Sequence, residues 1–314
     1  MTQHNLAFVF PGQGSQRVGM LAELAGQFDQ VQATFAEASS VLGYDLWQRA
    51  QEGPAEAINL TECTQPLLLA SSVACWRVWQ TLGGAVPAQM AGHSLGEWSA
   101  LVCAEVITLA DAVHLVQQRG KFMQEAVPAG LGAMAAIIGL SDEVIVQACA
   151  EAAQGEQVTA VNFNSPGQVV IAGHAAAVER AMAACKDAGA KRALPLPVSA
   201  PFHTELMRPA AERLAEQIEA TVFSAPAIPV IHNVHAKTEA DPAAIKQLMI
   251  EQIYSPVRWV ACVESMVEQG MTHALECGPG KVLAGLIKRI DKSVGANSVE
   301  TPEEFASAIA AINL

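Results

Sequence analysis

The sequence predicts an α/β protein in which a larger unit is interrupted by a smaller one. Three observations carry that expectation. Gly92, Ser94 and Gly96 form Gly-x-Ser-x-Gly between a short apolar run and an Ala-rich helical pattern, the strand–turn–helix setting of a nucleophile elbow. From Gly132 the pattern changes to strand–helix–strand–strand–helix–strand, and later reverts. The chain has 314 residues, and at about 150 residues per domain that suggests two units.

Composition removes several classes. The chain is 51% hydrophobic and 16% charged, which excludes a disordered chain. No apolar run approaches the ~18 residues of a membrane span. The first residues lack a basic region, and Leu6 to Phe10 is too short for a signal segment. A cytoplasmic monomer is expected. The seven cysteines are odd in number and contain no Cys-x-x-Cys, as for buried thiols in a reducing compartment. His232-x-x-His235 has no third ligand near it in sequence, so it reads as a strand end and loop rather than a metal site. The net charge of −13 argues against nucleic acid or an anionic membrane as partner. Two basic islands stand out: Lys281, Lys288, Arg289 and Lys292, and Lys186, Lys191 and Arg192. They fit docking of an acidic partner, and equally the solvated ends of helices.

Taken in order, Leu6 to Phe10 reads as a buried strand running into Pro11-Gly12-Gln13-Gly14-Ser15-Gln16. This loop has neither Walker nor dinucleotide spacing. Gln13 falls at the carboxyl end of a strand, where open α/β sheets bind ligands, although a plain turn has the same look. Helical patterns cover Val18 to Val41 and Pro66 to Leu82. Val86 to Ala91 is a strand and Leu95 to Val106 a helix around the elbow. Ser94 alone also suits an N-cap. Thr108 and Asp111 form a capping box for a helix to Glu125 that carries Arg119.

Strands are predicted at 133–138, 158–163, 168–172 and 192–198, with helices from Ser141 to Ala153 and from Ala175 to Ala188. That order is the split, ferredoxin-like βαββαβ unit, and it spans 128–198. The flanking segments, 1–127 and 199–314, form the discontinuous larger domain. Ser199 to Thr204 rejoins them and contains His203, a candidate active-site residue at a hinge or a plain helix cap. Thereafter come a helix at 205–220, a strand at 228–231, helices at 242–254 and 257–269, a strand at 273–277, and helices at 281–290 and 302–312.

Five motifs occur in one order: Phe10-Pro11-Gly12-Gln13-Gly14-Ser15-Gln16, Gly92-His93-Ser94-Leu95-Gly96-Glu97, Arg119-Gly120, Pro201-Phe202-His203, and Glu276-x-Gly278-Pro279-Gly280. Jointly they resemble the bacterial malonyl-CoA:acyl-carrier-protein transacylases, over nearly the whole chain. The resemblance implies an α/β-hydrolase-like large domain with a ferredoxin-like insert. It implies Ser94 as nucleophile and His203 as base, with the histidine oriented by a backbone carbonyl near Gln252 and no catalytic aspartate. It further implies oxyanion donors at the backbones of Gln13 and Leu95, and Arg119 as receptor for the malonyl carboxylate. Phe202 matches an aromatic that crowds an α-methyl group. The donor is malonyl-CoA and the acceptor the phosphopantetheine thiol of acyl-carrier protein, with no metal or redox cofactor. Lys191, Arg192, Lys288 and Arg289 become candidates for docking that acidic protein. A trans-acting polyketide acyltransferase would look the same. A serine thioesterase or hydrolase shares the elbow, but the chain has no His-Gly-Gly-Gly, and no Asp-Gly-Gly or Asp-Gly-Ala of a Ser–Asp lipase. A silent carrier-binding scaffold would have no use for Ser94, His203 and Arg119.

Overall fold

Leu6 to Phe10 is apolar at every position because it is buried on both faces, as in the centre of a parallel sheet. The computed structural model describes residues 2–198 and 200–312; the predicted domain boundary at Ser199 lies outside the described residues. Strand β1 (Thr2–Phe10) is flanked by β2 (Val86–Gly92) and β8 (His273–Cys277), with β7 (Val230–Ile231) and β9 (Gly295–Val299) at the edges. All pairings in this five-stranded sheet are parallel. Leu6, Phe8 and Phe10 enter one core layer, where Phe8 meets Trp76 and Trp79 edge-on, while Ala7 and Val9 enter the other.

The second sheet holds β3 (Gly132–Ile138), β4 (Val158–Ser165), β5 (Gln168–His174) and β6 (Arg192–Pro195), in the order β4-β5-β3-β6. Its pairs are antiparallel. Helices Asp142–Ala153 and Ala175–Asp187 cover one face and close a separate core with Ile137, Ile145 and Ile171. Met134, Val161 and Val170 join the main core instead. The Val257 N–H donates to Val161 O (2.8 Å), and the Phe163 N–H to Val257 O (3.0 Å). The small sheet is thus bonded to the segment that follows Gln252.

Several boundaries differ from the sequence reading. The 18–41 helix is two helices, Ala22–Ala25 and Asp29–Leu42, separated at Gly26, and Leu21 before them is left-handed. The next helix begins at Thr61, five residues before Pro66, and accepts the proline internally at the loss of one ladder bond. The elbow helix stops at Cys103, since Glu105 takes a positive φ of 63°. Strand β6 ends at Pro195, where prolines 195 and 197 remove donors. A 3-10 turn, Glu205–Met207, precedes helix Arg208–Ala220, whose second residue is a proline. Strand β9 was not anticipated: Gly295, Asn297 and Ser298 hide its pattern, and it pairs only with β8.

Phe10 pairs with Gly92, so the ends of β1 and β2 deliver the Gln13 loop and Ser94 side by side. A Cβ on Gly92 would lie 1.9 Å from the Gly96 carbonyl carbon, and one on Gly96 would lie 2.0 Å from Phe10 O. Strand, turn and helix therefore meet backbone to backbone. Gly96→Ala is expected to destabilise the protein by about 1–3 kcal/mol through overpacking, read from the urea midpoint, and to depress labelling of Ser94 by a fluorophosphonate.

Candidate active site

Ser94 sits at φ 52° and ψ −107°, a conformation that L residues avoid. Asn233 staples it from both sides: the Ser94 N–H donates to Asn233 Oδ1 (2.8 Å), and Asn233 Nδ2 donates to Gly92 O (2.7 Å). The Ser94 hydroxyl makes no capping bond to its helix. It lies 2.7 Å from His203 Nε2 instead.

His203 also has a positive φ, 64°. Its Nδ1 lies 2.9 Å from the backbone oxygen of Gln252. A carbonyl only accepts, so Nδ1 carries the proton, and Nε2 of the neutral ring accepts from Ser94. Burial pushes the His203 pKa down to about 3, with the positive charge of Arg119 as the second cause and the Gln252 carbonyl opposing. No carboxylate contacts the ring among the described hydrogen bonds; a Ser–His pair with a carbonyl behind it is the arrangement observed.

Arg119 is 2% exposed. Its helix, Leu109–Glu125, approaches the start of helix Thr61–Thr81 closely at Gly120, where a Cβ would lie 2.6 Å from Thr61 O. That approach brings Gln65 to the guanidinium. Nη1 donates to Gln65 Oε1 (2.9 Å), and Nη2 to Gln252 Oε1 (2.9 Å) and Ser94 Oγ (3.3 Å). Nε is buried with no hydrogen-bond partner among the described residues. Burial lowers the Arg119 pKa to about 10, opposed by Glu97, so the group stays charged at neutral pH.

Ser94, Arg119, His203, Gln13, Leu95 and Phe202 line one cavity of about 130 Å³. This is small beside the roughly 300–1,000 Å³ of drug-sized pockets. A second cavity, about 440 Å³, shares Gln13 and Val198 with it and extends outward past Asn59, Leu60 and Lys121. The docking candidates also converge. Arg192 and Gln168 both pair with Ile138, and Arg289 Nη1 donates to Gln168 Oε1 (2.7 Å). Lys191 packs against Gly139, and Lys288 is exposed beside Arg289. The end of β4 beside this patch carries Asn164, whose Oδ1 lies 2.7 Å from His93 Nε2.

The family described as Acyl transferase domain matches residues 7–303. The chain belongs to that acyl transferase family. Among curated relatives, it is 61% identical over 309 residues to the malonyl CoA-acyl carrier protein transacylase of Salmonella typhimurium, covering 98% of this chain and 99% of that one. A crystal structure of an acyl carrier protein S-malonyltransferase from Vibrio cholerae superposes with TM-score 0.96 at 61% identity, covering 97% of this chain and 99% of that one. A type II polyketide acyl-carrier protein in complex with its malonyl-transacylase gives TM-score 0.97 at 57% identity, covering 98% and 99%.

Sequence reasoning missed four polar residues of this acyltransferase's site: Gln65, Glu97, His232 and Asn233. His232 and Asn233 directly follow β7 at the carboxyl edge of the sheet, the position that already drew attention to Gln13. His232 Nδ1 lies 2.7 Å from Glu97 Oε1, and the His235 ring stands edge-on 5.9 Å away. The Nδ1 atom of His232 is therefore committed to a carboxylate.

Reactivity of Ser94 requires neutral His203, so it is present above the His203 pKa and lost as pH falls through it. With that pKa held down, the acid limb of fluorophosphonate labelling is expected well below the ordinary histidine value of about 6.5. Arg119→Leu removes a positive neighbour, and the limb is expected to move up.

Proposed function

We propose that this protein moves malonyl from coenzyme A to the phosphopantetheine thiol of acyl-carrier protein through a malonyl ester on Ser94. One observation carries the choice of acyl group: a buried guanidinium with an unpartnered Nε lies in a small cavity, 3.3 Å from the Ser94 oxygen. Malonyl differs from acetyl by a carboxylate, which a planar guanidinium grips through charge-assisted bonds worth about 1.5–3 kcal/mol each. A neutral acyl group leaves Arg119 without that anion, so selection acts by penalty as well as attraction.

In this mechanism Ser94 Oγ attacks the thioester carbonyl as His203 Nε2 takes its proton. The oxyanion is received by the backbone N–H groups of Gln13 and Leu95; as the first residue of its helix, Leu95 has an N–H with no intrahelical acceptor. The C–S bond breaks, and the imidazolium returns its proton to the coenzyme A thiolate. The carrier thiol then gives its proton to His203 and attacks the ester, and Ser94 leaves with that proton. The bound malonylate offsets the charge of Arg119, which raises the basicity of His203 when substrate is present. The chemistry needs only side chains and backbone, with no metal or redox cofactor.

The larger cavity is proposed to take the pantetheine arm, and the Lys191, Arg192, Lys288 and Arg289 patch to meet the acidic carrier protein. The related complex with a type II polyketide carrier protein supports a discrete carrier as acceptor and keeps a polyketide pathway as the second reading beside fatty-acid synthesis. We also read the parallel sheet as an α/β-hydrolase-like domain (1–127 and 199–314) and the β4-β5-β3-β6 sheet as a ferredoxin-like insert (128–198); the elbow and the strand order support this. Seven buried free cysteines support a reducing, cytoplasmic setting, and a monomer is proposed.

Incubated with malonyl-CoA alone, the protein is expected to gain one malonyl by intact mass, and Ser94→Ala none. Arg119→Ala is expected to lose about tenfold or more of its preference for malonyl over acetyl. Phe202→Ala is expected to relax discrimination against methylmalonyl by about 1–3 kcal/mol. No acyl-enzyme with any thioester removes the transferase reading; release of coenzyme A to water alone, even with carrier protein added, replaces it with a hydrolase. Replacing Lys191, Arg192, Lys288 and Arg289 together by Glu is expected to raise the carrier-protein KM at low salt and leave the malonyl-CoA KM unchanged. An unchanged carrier-protein KM removes the docking surface.

A further inference from the structure

Glu97 lies one turn after Ser94 on the elbow helix and is completely buried. A buried carboxylate requires partners, and it has three. Oε1 meets His232 Nδ1 at 2.7 Å; Oε2 accepts from the Asn233 N–H (3.1 Å) and from Gln252 Nε2 (2.7 Å).

Gln252 joins this cluster to the reaction centre in two separate ways. Its backbone oxygen holds His203 Nδ1. Its side-chain amide faces the other way, with Nε2 donating to Glu97 and to Ser94 O (3.0 Å) and Oε1 accepting from Arg119 Nη2. The amide could be turned end for end with little change in shape, so its neighbours must decide its direction. All three neighbours act one way: the Glu97 carboxylate and the Ser94 carbonyl accept, and the guanidinium donates. Glu97, with the shorter of the two bonds, and Ser94 O therefore hold Nε2 on their own side and leave Oε1 for Arg119.

We infer that Glu97, oriented by His232, is a positioning residue that sets the direction of the Gln252 amide, hence the seat of Arg119 and the preference for carboxylated acyl groups. The inference rests on the reading of Arg119 as carboxylate receptor. Glu97→Gln keeps the volume but turns an obligate acceptor into a group that can also donate. The Nε2 side of Gln252 then keeps only one obligate acceptor, Ser94 O, so the bias against the turned amide, which points an NH2 at the guanidinium, is weakened. His203 is held by the backbone carbonyl and is unaffected by that turn. The turn also gives up the bond to Ser94 O, but Asn233 still holds the elbow on both sides, so the defect should fall chiefly on the malonyl carboxylate.

The test compares initial rates of acyl-enzyme formation from malonyl-CoA and acetyl-CoA by intact mass. Fluorophosphonate labelling of Ser94 serves as the control for the nucleophile. In Glu97→Gln the malonyl-to-acetyl ratio of kcat/KM is expected to fall by about fivefold or more, with labelling retained. A smaller fall, or equal loss with both donors, overturns the inference. If Glu97→Gln does not fold, the His232 pair carries the same test. His232→Leu removes the donor that orients Glu97 and should lower the ratio. His232→Asn keeps an N–H near the Nδ1 position and should retain it. Equal ratios in the two overturn the inference. Arg119→Ala separates the two layers of argument. A ratio that survives Arg119→Ala removes the carboxylate reading itself. A ratio lost there but intact in Glu97→Gln removes only the role of Glu97.

Discussion

The burial of Arg119 is the constraint from which the rest of the site follows. A charge taken out of water costs several kcal/mol unless its donors and its field are answered. Gln65 and Gln252 answer two donor atoms, and Glu97 supplies a balancing charge inside the core. The remaining donor, Nε, has no hydrogen-bond partner among the described residues. That incomplete satisfaction is destabilising for the fold alone, and in the proposed function it is the ground for discrimination between acyl groups that differ by a carboxylate. The same positive field depresses the basicity of His203, so Arg119 and His203 are electrostatically linked.

The second constraint is backbone strain. Ser94 and His203 both take positive φ, at about 1–3 kcal/mol each for residues that are not glycine. The strain is held by contacts that leave no room to relax: Gly92 and Gly96 against neighbouring backbone, Asn233 bonded on both sides of the elbow, and Gln252 bonded to Ser94 O. Because the elbow and the Gln13 loop end adjacent parallel strands, Gln13, Ser94 and Leu95 line one cavity at the carboxyl edge of the sheet.

The small antiparallel sheet contributes a wall and a surface. Met134 and Asn162 face the cavity, and the strand bearing Asn162 bonds to Val257, five residues past Gln252. Asn164, at the end of β4, holds His93 from the other side. The antiparallel sheet is thereby tied to both the Ser94 loop and the segment whose carbonyl meets His203. Its register also gathers Arg192 and Arg289, which lie far apart in sequence, at one end of the sheet.

Local chemistry in the sequence determined the elements and the principal residues. The continuous apolar run at Leu6 to Phe10 marked the central strand, paired glycines marked the elbow, and the change of period after Gly132 marked the separate antiparallel sheet. Ser94, His203, Arg119, Gln13, Leu95, Phe202 and Gln252 all meet at or beside one cavity, because motif residues at strand ends are read locally. Strand β9 stayed hidden, since Gly295, Asn297 and Ser298 show no period, and its place depends on an edge that only β8 provides. Tertiary structure alone decided the polar support: Gln65, Glu97, His232 and Asn233 look like ordinary helix and loop residues. Each acquires its part from a partner 25 or more positions away, and hydrogen bonds at that separation leave no periodic trace in the chain.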